Sequence, residues 1–302
     1  MQLKKSNIVV LGNFDGLHRG HQQLFECAKV EAKKQTPEAE VIGLSFFPPP
    51  SWVLAQNPKQ LLTSSEEKRD RLIQIGINKF IEYPFNNIVA KMSPEEFFRG
   101  VLLEQLNAKT IVIGNNYYFG KNKVGNASYM EQLGKKYNVN ICIVKDIKDN
   151  NTIISSTQIR ALIAQGKMLE AQTLLGYPYM ITGEIVHGRA LGKTIGFPTA
   201  NISANLYKVY PPNGVYATKF KVKNKLYTSI TNVGNNPTVK GVEKTVETNI
   251  FNFNENIYGE IATVYFFDYL RPEKRFDGLD ELIKQISIDK EKVKILSYSS
   301  PL

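Results

Sequence analysis

The period of the apolar pattern changes once along this chain, near residue 176, and the two halves demand different architectures. From residue 7 to about 176, short apolar runs alternate with helically spaced ones. The runs are Ile8–Leu11, then Gln22–Lys33; Val41–Phe46; Glu66–Ile75; Lys79–Tyr83; Pro94–Leu106; Thr110–Gly114; and Ile141–Val144. Strand–helix alternation of this kind predicts a parallel sheet with helices on both faces. Ser155 to Leu175 then reads as two short helices, with Ser156 or Thr157 as N-cap of the first and Gly166 as the breaker between them. Past Gly176-Tyr177-Pro178 the segments become short and alternating: Met180–His187, Gly214–Val222, Lys225–Asn232, Thr245–Phe253 and Glu260–Phe267. Gly, Asn and Pro separate them, which predicts an antiparallel sheet or small barrel. A last amphipathic helix, Leu279 to about Ile288, would cover one end. The domains expected are therefore residues 1–179 and 180–302, with no internal repeat.

Composition narrows the function classes. The chain has 302 residues, 42% hydrophobic and 22% charged, enough for two cores and far from the disordered range. No apolar run reaches the roughly 18–20 residues that span a bilayer, and the N-terminus shows no cleavable leader. With only Cys27 and Cys142, a disulfide framework is not expected, and a cytoplasmic address follows. The net charge of +10 is carried by scattered lysines rather than one basic run with interleaved aromatics. It suits polyanionic small substrates better than nucleic acid. No membrane partner is expected, and the oligomeric state stays open.

Two segments concentrate chemistry. The first strand runs into Gly12-Asn13-Phe14-Asp15-Gly16-Leu17-His18-Arg19-Gly20-His21, where an open α/β sheet places its ligand crevice. Glycines let backbone approach phosphates, and the helix start beyond offers unpaired N–H groups and a positive dipole end. His18 and His21, three apart, face one side and can donate to charge developing as pyrophosphate leaves. A metal site is disfavoured, since the chain has three histidines in all. The second segment runs from Gly188 to Asn201 and includes Gly192, Lys193, Pro198 and Thr199. On extended chain Thr199 and Asn201 share a face, so a hydroxyl and an amide oxygen can converge on one Mg²⁺ or phosphate.

The first segment resembles the HxGH signature of the nucleotidyltransferase superfamily, and more specifically the FMN adenylyltransferase module of prokaryotic FAD synthetases. Ile154-Ser155-Ser156-Thr157-Gln158-Ile159-Arg160 is similar to that family's second nucleotide motif, which implies that Ser155, Ser156, Thr157 and Arg160 hold the triphosphate. Gly114 to Gly120 resembles its G-x-D-F-x-F-G, implying flavin contacts at Asn116, Tyr118 and Phe119, with Asn116 where the pattern has an acid. Phe46 to Pro50 resembles its F-x-P-H-P, with Pro49 in place of the histidine. The run Gly196-Phe197-Pro198-Thr199-Ala200-Asn201 resembles the signature of riboflavin kinases. Asn213–Ala217, Asn232–Thr238, Val246–Phe251, Tyr258-Gly259 and Arg271–Phe276 follow in that family's order.

By these resemblances Glu247 is the base for the ribityl 5′-hydroxyl, Arg271 a flavin contact, and Thr199 and Asn201 the metal ligands. Asn249 stands where many members carry His. The implied fold is an α/β, Rossmann-like nucleotidyltransferase domain followed by an all-β six-stranded barrel of riboflavin-kinase type with a C-terminal helix. The implied activity is bifunctional: riboflavin plus ATP to FMN, then FMN plus ATP to FAD, with Mg²⁺. A single-activity enzyme is the nearest alternative, and a non-catalytic flavin-binding regulator is the alternative of another class.

Overall fold

A computed structural model describes residues 6–35, 39–55, 58–77, 79–188, 196–203, 205–238 and 241–297. The chain forms two compact units: Met1–Lys59 with Ser64–Ser156, and Gln60–Thr63 with Thr157–Leu302.

In the first unit, strands β1 (Asn7–Leu11), β2 (Glu40–Phe47), β3 (Lys79–Pro84), β4 (Ala108–Gly114) and β5 (Asn140–Val144) form one parallel sheet in the order β3-β2-β1-β4-β5. A parallel sheet is covered on both faces, so its central strand reads as an unbroken apolar run. β1 shows this directly. Ile8 and Val10 pack with Phe25 and Ala28 of helix α1 (Arg19–Lys33), whereas Val9 and Leu11 face the opposite core with Phe98, Val101 and Leu102. Because β1 lies between β2 and β4, the strand order reverses direction at β1, and the loop after it opens on the switch-point crevice.

The remaining covering elements are short. They are α2 (Pro50–Ala55), α3 (Ser65–Gln74), α4 (Asn87–Lys91), α5 (Pro94–Phe97) and α6 (Ala127–Tyr137), with α5 continuing as a π-helix, Phe98–Gln105. Ser64 and Glu67 close a full capping box on α3. Small strands β6 (Lys148–Asp149) and β7 (Thr152–Ile153) form a separate hairpin.

Helix α7 (Ser156–Ala164) begins at Ser156, so Ser155 rather than Ser156 or Thr157 stands at the cap position. The Ser156 hydroxyl donates instead to the Asp15 carbonyl, at 2.9 Å. Gly166, with φ +75°, separates α7 from α8 (Met168–Leu175) as its conformational freedom predicts.

The second unit, which takes in α7 from Thr157 onward and α8, carries a closed barrel ordered β10-β11-β12-β9-β8-β13. Its strands are β8 (Tyr179–Val186), β9 (Ala200–Ile202), β10 (Gly214–Val222), β11 (Lys225–Thr238), β12 (Gly241–Ile250) and β13 (Ile261–Arg271). β9 has no alternating pattern of its own, being three residues inside the Gly/Pro-rich motif, yet it closes the barrel by pairing with both β8 and β12. The last helix, α9 (Leu279–Ser297), outruns the expected end near Ile288 because two later residues anchor it. Val293 packs on Val215, Ala217, Ile230 and Phe251, and buried Asp289 accepts from Arg271 Nε at 2.8 Å.

The barrel encloses an uncommon polar seam beside its apolar filling of Phe220, Val233, Val264 and Phe266. Thr218 Oγ1 lies 2.8 Å from both Ser229 Oγ and Thr231 Oγ1, and Thr231 Oγ1 lies 2.8 Å from Thr248 Oγ1. Four buried hydroxyls thus satisfy one another, and removal of a middle member strands its neighbours. Thr231→Val, although similar in volume and more apolar, is expected to destabilise the protein by about 1–3 kcal/mol in urea unfolding. An unchanged midpoint would show that the seam contributes nothing.

Candidate active sites

The turn between β1 and α1 is strained and then pinned. Phe14, Gly16 and Leu17 all have positive φ, at 50°, 79° and 33°, a conformation that costs non-glycine residues about 1–3 kcal/mol each. The hydrogen bonds that hold it include Leu17 N–H to Phe14 O at 3.0 Å, Ser156 Oγ to Asp15 O at 2.9 Å, Gln22 Nε2 to Leu17 O at 2.8 Å and Ser45 Oγ to Asn13 O at 3.3 Å. Gly12 is required by close approach, since a Cβ there would lie 2.6 Å from the Phe14 ring. Gly20 likewise leaves room for the His18 ring, 3.1 Å from its own missing Cβ.

This turn delivers His18 as N-cap of α1, with no side-chain cap bond and no acidic residue in the first helical turn. The helix therefore presents its N–H groups and positive end to an incoming anion. The His18 and His21 rings stack at a centroid distance of 3.7 Å, and His21 meets the Phe14 ring edge-on at 5.6 Å. Both Nδ1 atoms are buried and unpartnered among the described residues. Burial drives the His18 pKa down to about 4, against an opposing backbone hydrogen bond. It drives that of His21 well below the ordinary value, helped by the charges of His18 and Lys68. At neutral pH both imidazoles are thus uncharged, each with one N–H donor.

Lys68 escaped the sequence reading because it sits in Glu66-Glu67-Lys68-Arg69-Asp70, which looks like a solvated face. The capping box at Ser64 is the signal that fixes the phase of α3 and turns Lys68 inward. There it lies buried, 3.4 Å from Glu82, which also accepts from Ser65 Oγ at 3.0 Å.

The other expected residues of the adenylyl-transfer site fall on three segments. Ser155, Ser156 and Thr157 lie at the start of α7, and Arg160 on α7 donates through Nε to the Gln60 carbonyl at 3.0 Å. Asn116, just past β4, donates to Asp146 Oδ1 at 3.2 Å, just past β5. A carboxylate therefore stands beside the position where the resembled pattern carries an acid, one strand over. Phe119 is buried with Phe97 and Tyr117, while Tyr118 is exposed.

In the barrel unit, β9 brings Asn201 into register opposite Glu247 of β12, and β11 brings Asn232 opposite Glu247 on its other side. Gly188 packs against Asn201 so tightly that a Cβ would collide with its amide, at 2.2 Å. Thr199 immediately precedes β9, and the Pro198 carbonyl accepts from Asn249 Nδ2 at 2.8 Å. Asn249 thus ties the motif to β12. Gly192 and Lys193 lie outside the described residues. Arg271 is held by Asp289, with its Nη1 donating to the Pro272 carbonyl at 3.1 Å.

Comparison with known proteins matches both halves of the chain. A family model described as FAD synthetase matches residues 1–158, and one described as riboflavin kinase matches residues 175–296. The bifunctional riboflavin kinase/FMN adenylyltransferase of Bacillus subtilis (strain 168) is 34% identical over 291 residues, covering 94% of this chain and 90% of the relative. That of Listeria monocytogenes is 35% identical over 291 residues, covering 95% and 91%. A crystal structure named as a macrolide-efflux protein from Streptococcus pneumoniae shares the fold at a TM-score of 0.86 and 34% identity, covering 97% of this chain and 95% of that one. Among the described residues no helix is long and apolar enough to cross a membrane. On two family models in order and relatives matched over nearly the whole length, the chain belongs to the bifunctional riboflavin kinase/FMN adenylyltransferase family.

Proposed function

We propose that this protein phosphorylates riboflavin to FMN with ATP in residues 180–302, and adenylylates FMN to FAD with release of pyrophosphate in residues 1–179. The observation that carries the reading is the presence of two separate constellations. One is a stacked histidine pair with orphaned Nδ1 atoms at an open helix N-terminus; the other is a carboxylate flanked by two amides on the barrel.

In adenylylation, the FMN phosphate attacks the α-phosphorus of ATP in line. His18 and His21 donate to the oxygens that gain charge as pyrophosphate departs, beside the N–H groups of α1 and the backbone of Gly12, Asn13, Phe14, Asp15, Gly16 and Gly20. Ser155, Ser156, Thr157 and Arg160 keep the triphosphate-holding role that the resemblance gives them. In the kinase reaction Glu247 accepts the proton of the ribityl 5′-hydroxyl as that oxygen attacks the γ-phosphorus. Thr199 and Asn201 would hold Mg²⁺ through a hydroxyl and an amide oxygen, which leaves the Glu247 carboxylate free to act as base. Bound there, the ion supplies charge neutralisation to the phosphoryl group in transfer. The cytoplasmic assignment rests on Cys27 and Cys142, both free thiols.

The neutrality of the histidine pair gives a pH signature. An unfolded histidine titrates near 6.5, whereas folded His18 stays neutral down to about 4. Between those values the unfolded chain binds a proton that the folded chain refuses, so stability falls as pH falls. The slope is roughly 1.4 kcal/mol per pH unit for His18, vanishing above 6.5 and levelling off below 4. His18→Gln is expected to flatten the change in urea stability between pH 7 and pH 5 by about 2 kcal/mol, the slope taken over the roughly 1.5 pH units between 6.5 and 5. Equal slopes in wild type and variant would contradict the burial of a neutral imidazole.

The two activities are expected to separate by point mutation. His21→Ala should lower FAD formation by about 10²-fold or more while riboflavin phosphorylation stays near wild type. Glu247→Gln should lower FMN formation by roughly 10²–10⁴-fold while supplied FMN is still adenylylated. Both reactions are measured on both variants, with circular dichroism to establish folding. Equal loss of both activities in a folded variant would refute the assignment.

A further inference from the structure

The chain leaves β13 at Arg271 and, two residues on, sets Glu273 against the outer face of β11. Glu273 Oε1 accepts from Asn232 Nδ2 at 3.2 Å, and Oε2 accepts from Asn213 Nδ2 at 3.0 Å. Asn213 in turn accepts, through Oδ1, a hydrogen bond of 2.7 Å from Lys244 Nζ. The backbone leaves space for this arrangement: a Cβ on Gly234 would lie 2.9 Å from Glu273 Oε1, so any side chain there would push the carboxylate off the strand.

The chemistry of the partners fixes one rotamer. An ionised carboxylate only accepts, so Asn232 must turn its NH₂ group towards Glu273 and its carbonyl oxygen away. Asn232 is also the direct cross-strand partner of Glu247, which places both side chains on the same face of the barrel. Asn201 stands on the far side of Glu247 in the same row. The base is therefore flanked by an amide whose polarity is set from outside the row.

We propose that Glu273 is a positioning residue for the kinase reaction. It locks the Asn232 amide so that its oxygen accepts a hydrogen bond from the ribityl hydroxyl adjacent to the one that is phosphorylated. The inference rests on the reading of Glu247 as the base for riboflavin. A site that holds an oriented acceptor rejects a substrate lacking the matching hydroxyl, because the acceptor is then desolvated without a partner. Without the carboxylate the amide is released to turn over and present NH₂, and the discrimination is lost. Glu273→Gln supplies one acceptor and one donor in place of two acceptors, so one of the two asparagines must reorient.

The test compares riboflavin with its analogue lacking that hydroxyl, in wild type, Glu273→Gln and Glu273→Ala. Binding is measured by quenching of flavin fluorescence, and phosphorylation as kcat/KM. Wild type is expected to prefer riboflavin by roughly tenfold, and the preference should fall towards unity in both variants. The KM for ATP and the adenylylation of supplied FMN should be unchanged, which shows that the fold persists. Wild-type discrimination retained in both variants overturns the inference, as does a variant that binds neither flavin, since the role is one of orientation. Wild type that never phosphorylates riboflavin would instead overturn the kinase reading itself, and this inference with it.

Discussion

The burial of β1 on both faces governs the adenylyl-transfer site. Ile8 and Val10 are committed to one core and Val9 and Leu11 to the other, so β1 cannot slip in register without exposing apolar side chains. With the strand fixed between β2 and β4, the chain must turn sharply to enter α1 at the switch point. The positive φ values of Phe14, Gly16 and Leu17 are the consequence. Packing of the Phe14 ring over Gly12 and the bond from Ser156 to Asp15 offset that strain. The turn in exchange holds two neutral imidazoles stacked at the N-terminus of a helix whose first turn carries no acidic residue.

The barrel depends on a smaller element. β9 contributes three residues, yet it pairs with both β8 and β12 and so closes the sheet. The same three residues carry Asn201 to Glu247. Closure and chemistry are thus bound together, and the tight contact of Gly188 on the Asn201 amide shows how little slack the motif retains. Opposite closure, α9 covers the outer face through Val293 and the Asp289–Arg271 pair. Arg271, expected as a flavin contact, is therefore also the tie that seats this helix.

Much of this was legible in the sequence because the signals are local. The period switch near residue 176 separates a sheet buried on both faces from one that alternates, and the runs at Ile8–Leu11, Thr110–Gly114 and Gly214–Val222 correspond to strands nearly end to end. The histidine segment and the motif ending at Asn201 carry their chemistry in consecutive residues. What stayed hidden depends on partners distant in sequence. β9 is too short to show a period. Lys68 is masked by charged neighbours, Asp146 gains meaning only from Asn116 in the turn beyond the adjoining strand, and Glu273 only from Asn232 on the barrel's outer face. A side chain whose role is to orient another leaves no pattern of its own.

The central claim is that one chain performs both transfers in sequence. Its most direct test is a time course of the pure protein with riboflavin, ATP and Mg²⁺, with the flavins separated at each point under oxidising and reducing conditions. The account predicts that FMN rises first and FAD follows at its expense. FMN accumulating without FAD under both conditions would contradict it, leaving a kinase with an inactive adenylyltransferase fold.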